Sequence, residues 1–151
     1  MATIDLITLK KLRDETAASI ADCRRALDVA DGDYKKALEW LKKRAGEIAA
    51  KKADRETGEG LIEAYIHGGG KVGVLVEILC ETDFVAKTDE FKKLVKEIAM
   101  QIAAMNPADV DSLLKQEYIR DGSQTIEQLV KGVIGKLGEN ITVKRFTRFE
   151  L

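Results

Sequence analysis

The sequence is poor in the residues from which most active sites and covalent scaffolds are built. Its 151 residues include two cysteines, one histidine, one proline and one tryptophan. Cys23 and Cys80 stand far apart, and neither has a companion Cys or His a few positions away. That spacing argues against a disulfide framework and a structural zinc site. With His67 as the one histidine, most His-based catalytic constellations cannot be assembled within a single chain. No apolar run approaches the roughly 20 residues that a bilayer span needs. The opening Met1-Ala2-Thr3-Ile4-Asp5 lacks the basic and apolar stretches of a secretion signal, so a cytoplasmic protein away from membranes is expected. Charge of one sign is missing too: 25 basic residues face 26 acidic ones, for a net charge of −1. General attraction to nucleic acid or anionic lipid is therefore not expected. What the chain does have is a 45% hydrophobic and 34% charged composition, enough to bury a core behind a solvated surface. The length suits one domain, or a small domain with a modest second one.

Residues 1–55 read as three short helices. Leu6, Leu9 and Leu12 recur every three positions. Ser19 caps a second helix with Asp22 as its partner, and Ile20, Cys23, Leu27 and Ala30 lie on one face. Asp31-Gly32-Asp33 is a turn whose last residue caps a third helix with the stripe Tyr34, Ala37, Leu38, Leu41 and Ala45. From Ala45 to Gly60 the large apolar residues vanish, which predicts a helix fraying into a linker.

Residues 56–151 change character. Leu61–His67 and Val72–Cys80 read as strands joined by the turn Gly68-Gly69-Gly70-Lys71. After a break at Glu81–Lys87, Thr88 caps a long helix with the stripe Phe91, Leu94, Val95, Ile98, Ile102 and Met105, which Asn106-Pro107 stops. A helical turn near Val110–Lys115 leads to an irregular stretch ending at Gly122. Thr125 and Gln128 then form a capping box for the helix of Ile126, Leu129, Val130, Val133, Ile134 and Leu137, closed by Gly138. Ile141–Phe149 is a final strand. The order ααα–ββ–α–α–β predicts an α+β protein, a three-helix domain and linker helix (1–55) followed by a core (56–151) with a three-stranded antiparallel sheet and packed helices.

No pattern here makes an active site, and no catalytic residue, metal or cofactor is expected. Gly68–Gly70 lies between two strands, so it lacks the strand–loop–helix setting of a phosphate cradle. Cys80 as a nucleophile has only His67 as a base, with no third group to orient it. Lys144, Arg145 and Arg148 read as a solvated or edge-protecting set on the last strand. The unusual feature is Asp83-Phe84, a large aromatic in a short polar segment. Phe84 either plugs the gap beneath the loop or projects as an anchor for a partner's pocket.

At these residues the sequence resembles the bacterial elongation factor Ts family, the guanine-nucleotide exchange factors of elongation factor Tu. The similarity runs through Lys11-Leu12-Arg13-Asp14-Glu15-Thr16, Asp22-Cys23-Arg24-Arg25-Ala26-Leu27, Gly32-Asp33, Ala37 with Leu41, Ala49–Ala53 and Glu59-Gly60. It continues through Tyr65-Ile66-His67, Val72–Glu77, Cys80-Glu81-Thr82-Asp83-Phe84-Val85-Ala86, Gly138-Glu139-Asn140-Ile141, Arg145-Phe146 and Arg148-Phe149-Glu150. The resemblance implies a ubiquitin-associated-like three-helix domain and a core that bind elongation factor Tu, GDP-bound or nucleotide-free. It implies that Thr82, Asp83, Phe84 and Val85 dislocate the partner's magnesium ion, with Phe84 as wedge and Asp83 as its polar contact. Arg13 and Ile20 match contact positions of the N-terminal domain, and His67 matches a core histidine that meets the partner.

Three departures stand against that pattern. Ala17-Ala18-Ser19-Ile20-Ala21 replaces a Gly-x-Gly and two methionines, which implies a weaker N-terminal grip. A long helical hairpin after the Asn-Pro motif is missing. Only one of the two related core halves of long members is present, which implies a homodimer; Thr147 stands where some short members have a dimer cysteine. The alternatives are a helical peptide-binding or scaffold module without exchange activity, and a thiol enzyme using Cys80.

Overall fold

The computed structural model describes residues 4–151; Met1-Ala2-Thr3, part of the secretion-signal reading, lie outside the described residues. Three helices open the chain. Helix α1, Leu6–Thr16, is capped by Asp5, whose carboxylate accepts from the Ile7 and Thr8 amides. Helix α2, Ile20–Val29, starts at Ser19, which accepts from the Asp22 amide and donates to its carboxylate. Helix α3, Tyr34–Lys52, is capped by Asp33. Leu9, Leu12, Cys23, Ala26, Leu27, Ala30, Ala37 and Leu41 form the core that these helices share. Two expected core positions differ: Leu6 and Ile20 are exposed, because each begins its helix beyond the reach of the packed stripe.

The expected fraying after Ala45 does not occur, and α3 stays helical to Lys52. Its small residues form a close-packing stripe. A Cβ built on Gly135 of helix α7 (Ile126–Leu137) would stand 2.9 Å from the Ala45 Cβ, so only glycine lets the two helices approach this far. Ala49 is buried in the second, larger core. One helix therefore enters both cores.

The larger core lies under a three-stranded antiparallel sheet formed by β1, Glu59–His67, β2, Val72–Cys80, and β5, Ile141–Glu150, in the order β1-β2-β5. Gly60, at φ 154°, approaches β2 so closely that a Cβ there would lie 2.1 Å from the Ile78 carbonyl oxygen. Alternation sends Val74, Val76, Ile78 and Cys80 inward, onto helix α5, Asp89–Met105. Phe91, Leu94, Val95, Ile98 and Ile102 of α5 are buried there, whereas Met105, in its last turn, is about half exposed.

The break at Glu81–Lys87 contains a single helical turn, α4, Asp83–Ala86. After α6, Val110–Lys115, the expected irregular stretch is a two-stranded ribbon, β3 (Glu117–Tyr118) with β4 (Asp121–Thr125). Polar side chains hold it. Gln101 is fully buried and bonds the Glu117 carbonyl and the Ile119 amide, and Tyr118 donates to Glu97 at 2.5 Å. The capping box at Thr125 and Gln128 and the left-handed Gly138 bound α7 as expected. Arg148 departs from its expected solvated role. It is nearly buried and donates to the Ala103 carbonyl at 3.0 Å, satisfying an orphan acceptor at the end of α5.

Candidate functional site

The segment after β2 folds as a one-turn helix because its ends are tied. The Thr82 hydroxyl accepts from the Val85 amide at 3.4 Å, and the Thr88 hydroxyl donates to the Val85 carbonyl at 2.7 Å. Val85 and Ala86 bury into the larger core and hold the turn from below. Phe84 points the other way and is 80% exposed. The reading in which it plugs a gap beneath the loop is therefore overturned. Asp83 is also exposed and forms an ion pair with Lys87 at 2.9 Å. That hydrogen bond, with the ammonium charge, holds the Asp83 carboxyl below the ordinary carboxylate range. Of Thr82, Asp83, Phe84 and Val85, only Asp83 and Phe84 face outward.

Beneath the turn lies a contact that sequence reasoning missed. Glu139 accepts from the Glu81 and Thr82 amides at 3.2 and 2.9 Å and from the Thr82 hydroxyl at 2.7 Å. In return the Glu81 carboxylate accepts from the Asn140 amide at 2.8 Å. The side chain of Asn140 is buried and donates to the Ala53 and Arg55 carbonyls. The available signal was a Glu-Asn pair directly after a helix-closing glycine, where polar residues before a strand need partners.

The other predicted residues stand apart from this turn. Arg13, in the last turn of α1, and Ile20, the first residue of α2, are both exposed and flank the short loop Ala17–Ser19. His67 ends β1, with its Nδ1 2.8 Å from the Tyr65 hydroxyl. The strand register sets Glu59 against Cys80 and His67 against Val72. His67 therefore lies at the far end of the hairpin from Cys80, roughly 25–30 Å away at strand rise. That distance removes the base a Cys80 nucleophile would need. Burial, then the negative charge of Glu139, pushes the Cys80 thiol up to about 11, opposite to thiolate activation. Among the described residues no three His, Cys, Asp or Glu side chains gather to hold a metal ion, and no helix is long and apolar enough to cross a membrane.

The sheet face turned away from α5 is uncovered. Ile62, Ile66, Leu75 and Phe149 are all exposed on it, and Ile66 lies across Gly73 toward Phe149. Arg145 and Glu77 pair at 2.6 Å on the same face.

A family model described as Elongation factor TS matches residues 81–151. An elongation factor Ts of Caldanaerobacter subterraneus subsp. tengcongensis is 43% identical over 187 aligned residues, covering 94% of each chain. The chain belongs to the elongation factor Ts family. Another member, from Oleidesulfovibrio alaskensis, is 42% identical over 196 aligned residues, covering 100% of this chain and 99% of its own. That alignment is longer than the 151 residues it takes in, so the Oleidesulfovibrio elongation factor Ts carries residues that this chain lacks. After Asn106-Pro107, where the sequence reading expects a helical hairpin to be missing, α6 and the β3–β4 ribbon follow. The elongation factor Ts of Nostoc sp. is 47% identical over 151 residues, which make up 48% of its length. The stretch matched by the Elongation factor TS model contains both sides of the Thr82–Glu139 contact.

Proposed function

We propose that this chain is a guanine-nucleotide exchange factor that binds elongation factor Tu in its GDP-bound and nucleotide-free states, breaking no covalent bond. The observation that carries this reading is Phe84, presented to solvent on a turn whose base is buried. An exposed aromatic on a fixed mount can enter a partner's pocket with little ordering cost. Phe84 enters the partner beside its magnesium and phosphate site and displaces the ion; Asp83 orients it, and Thr82 and Val85 hold the turn. Residues 1–55, a ubiquitin-associated-like bundle with its linker helix, grip the same partner through Arg13 and Ile20. Residues 56–151 bind it through His67 at the other end of the hairpin. The chain itself needs no metal or cofactor, works in the cytoplasm and binds neither nucleic acid nor membrane directly.

The broad grip is required by magnitude. Burying one Phe contributes roughly 1.5–3 kcal/mol. Accelerating release about a thousandfold takes about 4 kcal/mol at the barrier.

The uncovered sheet face supports a homodimer in which two copies bring these faces together, giving each the second core half that long family members have. Sedimentation at micromolar concentration should give a dimer, and Leu75→Glu should give a monomer. A wild-type monomer refutes this pairing. Release of fluorescent GDP from elongation factor Tu, with and without the chain, tests the exchange reading. Acceleration is expected; tight binding with no acceleration would instead identify a scaffold module.

A further inference from the structure

We propose that Glu139 is the positioning residue of the Asp83-Phe84 tip, an inference that rests on the exchange reading above. A single helical turn cannot hold its own geometry in water. Here the approach to the turn is set by one carboxylate that lies 57 residues along the chain from Thr82 and accepts three hydrogen bonds from Glu81 and Thr82. The Thr82 hydroxyl joins two tasks: it donates to Glu139 Oε2 and accepts from the Val85 amide. Glu139 therefore sets the rotamer that caps α4, and with it the direction in which Phe84 leaves the surface.

The contact is reciprocal. Glu81 Oε1 accepts from the Asn140 amide at 2.8 Å and lies 3.7 Å from Arg55. Asn140 Nδ2 donates to the Ala53 and Arg55 carbonyls, and Lys52 Nζ donates to the Gly138 carbonyl at 2.7 Å. The turn Gly138–Asn140 thus joins the base of the tip to the end of α3, the helix that enters both cores. A tip mounted this way moves with the three-helix bundle. Any force the partner applies at Arg13 and Ile20 is opposed at Phe84 without a soft joint between them.

The test is stopped-flow release of fluorescent GDP from elongation factor Tu as a function of the concentration of full-length variants, with amide exchange measured on each free chain. Glu139→Ala should lower the saturating release rate about ten- to hundredfold, the cost of a small misplacement, and leave the half-saturating concentration within about twofold. Glu139→Gln keeps an acceptor for the Glu81 and Thr82 amides and can donate from its Nε2 to the Thr82 hydroxyl, reversing that bond without losing it, and should recover most of the rate. Glu139→Asp is one methylene short and should not. Exchange of the Glu81 and Thr82 amides should quicken in Glu139→Ala, with the α5 amides unchanged. A wild-type rate in Glu139→Ala beside a slowed Phe84→Ala overturns the positioning role and leaves the exchange reading standing. Wild-type rates in both overturn the two together. Loss of protection throughout α5, or a failure of Glu139→Gln to recover, makes Glu139 merely structural and overturns the proposal.

Discussion

Replacing Phe84 by alanine separates stability from function more cleanly than any other single change. The ring is 80% exposed, so its removal should alter folding free energy by no more than about 0.5 kcal/mol. For a chain of this size that is a melting shift of about 2 °C or less. Phe91, of identical chemistry, is fully buried under the sheet, and its truncation should cost about 3–5 kcal/mol. The two variants form an internal control.

In the proposed complex with elongation factor Tu the order should reverse. If Phe84 becomes fully buried in the partner, truncation removes roughly 1.5–3 kcal/mol. At 1.36 kcal/mol per decade this is a loss of about 10- to 150-fold in release rate. A wild-type acceleration of about a thousandfold would leave roughly seven- to hundredfold in the variant. The assay is fluorescent-GDP release at rising variant concentration. The loss should fall on the saturating rate, because a wedge strains the bound nucleotide and magnesium rather than tightening the chain's hold on its partner. Release at the wild-type rate, or a melting point many degrees lower, refutes the reasoning.

The remaining predictions concern the mount. Ala17 closes α1 at φ 52°, where a side chain is strained, so Ala17→Gly should raise stability by about 0.5–1 kcal/mol in urea unfolding. Gly135→Ala improves helix propensity but drives a methyl into Ala45, and should cost a net ~1 kcal/mol by the same measurement. Raised values for Cys80, to about 11, and Tyr34, to about 12 through burial and then its hydrogen bond to Glu15, carry a definite sign. Both groups favour the fold fully below their unfolded values of 9.0 and 10.0 and lose that contribution as pH rises toward the folded ones. Calorimetry should therefore show the melting point falling between about pH 9 and 12. Iodoacetamide at pH 8 should leave the folded chain unmodified.

Helix starts were the most legible part of the sequence. Ser19, Asp33, Thr88 and Thr125 cap the helices expected of them, since a capping side chain acts within three residues and needs no tertiary information. The same locality explains the failures. Ala45 and Ala49 look like linker by composition, and only packing in the larger core, with α7 against Ala45, makes small residues an advantage there. Ile20 satisfies the helical period of α2 yet lies outside its packed face. The β3–β4 ribbon has almost no strand pattern of its own; buried Gln101 and the Glu97–Tyr118 bond hold it from a distant helix. At the candidate site, Asp83-Phe84 was conspicuous because an aromatic in a polar loop violates local expectation. Whether it faced inward or outward was undecidable until Val85 was seen to occupy the buried side. Glu139 was only half legible: the polar pair after Gly138 hints that it needs a partner, but its partners lie 57 and 58 residues away and nothing local marks them.

A wedge between rigid mounts has a thermodynamic consequence that a flexible peptide anchor would not have. Suppose bound nucleotide and bound chain each weaken the other because both cannot fit the undistorted partner. The two weakening factors must then be equal, since coupling free energy is a property of the ternary state. GDP should loosen the chain's hold on elongation factor Tu by the same factor with which the chain loosens GDP, and calorimetric titrations in both orders measure this. Phe84→Ala decides where the ring acts. If it presses on the settled ternary complex, both factors shrink together by the amount lost from the release rate. If it engages only at the moment of magnesium loss, the release rate falls and the equilibrium factors stay put. The exposed and pre-formed turn favours the first outcome, because a side chain already held in place is present in the settled complex as much as at the barrier. Undiminished coupling in a slow Phe84→Ala variant would overturn that assignment.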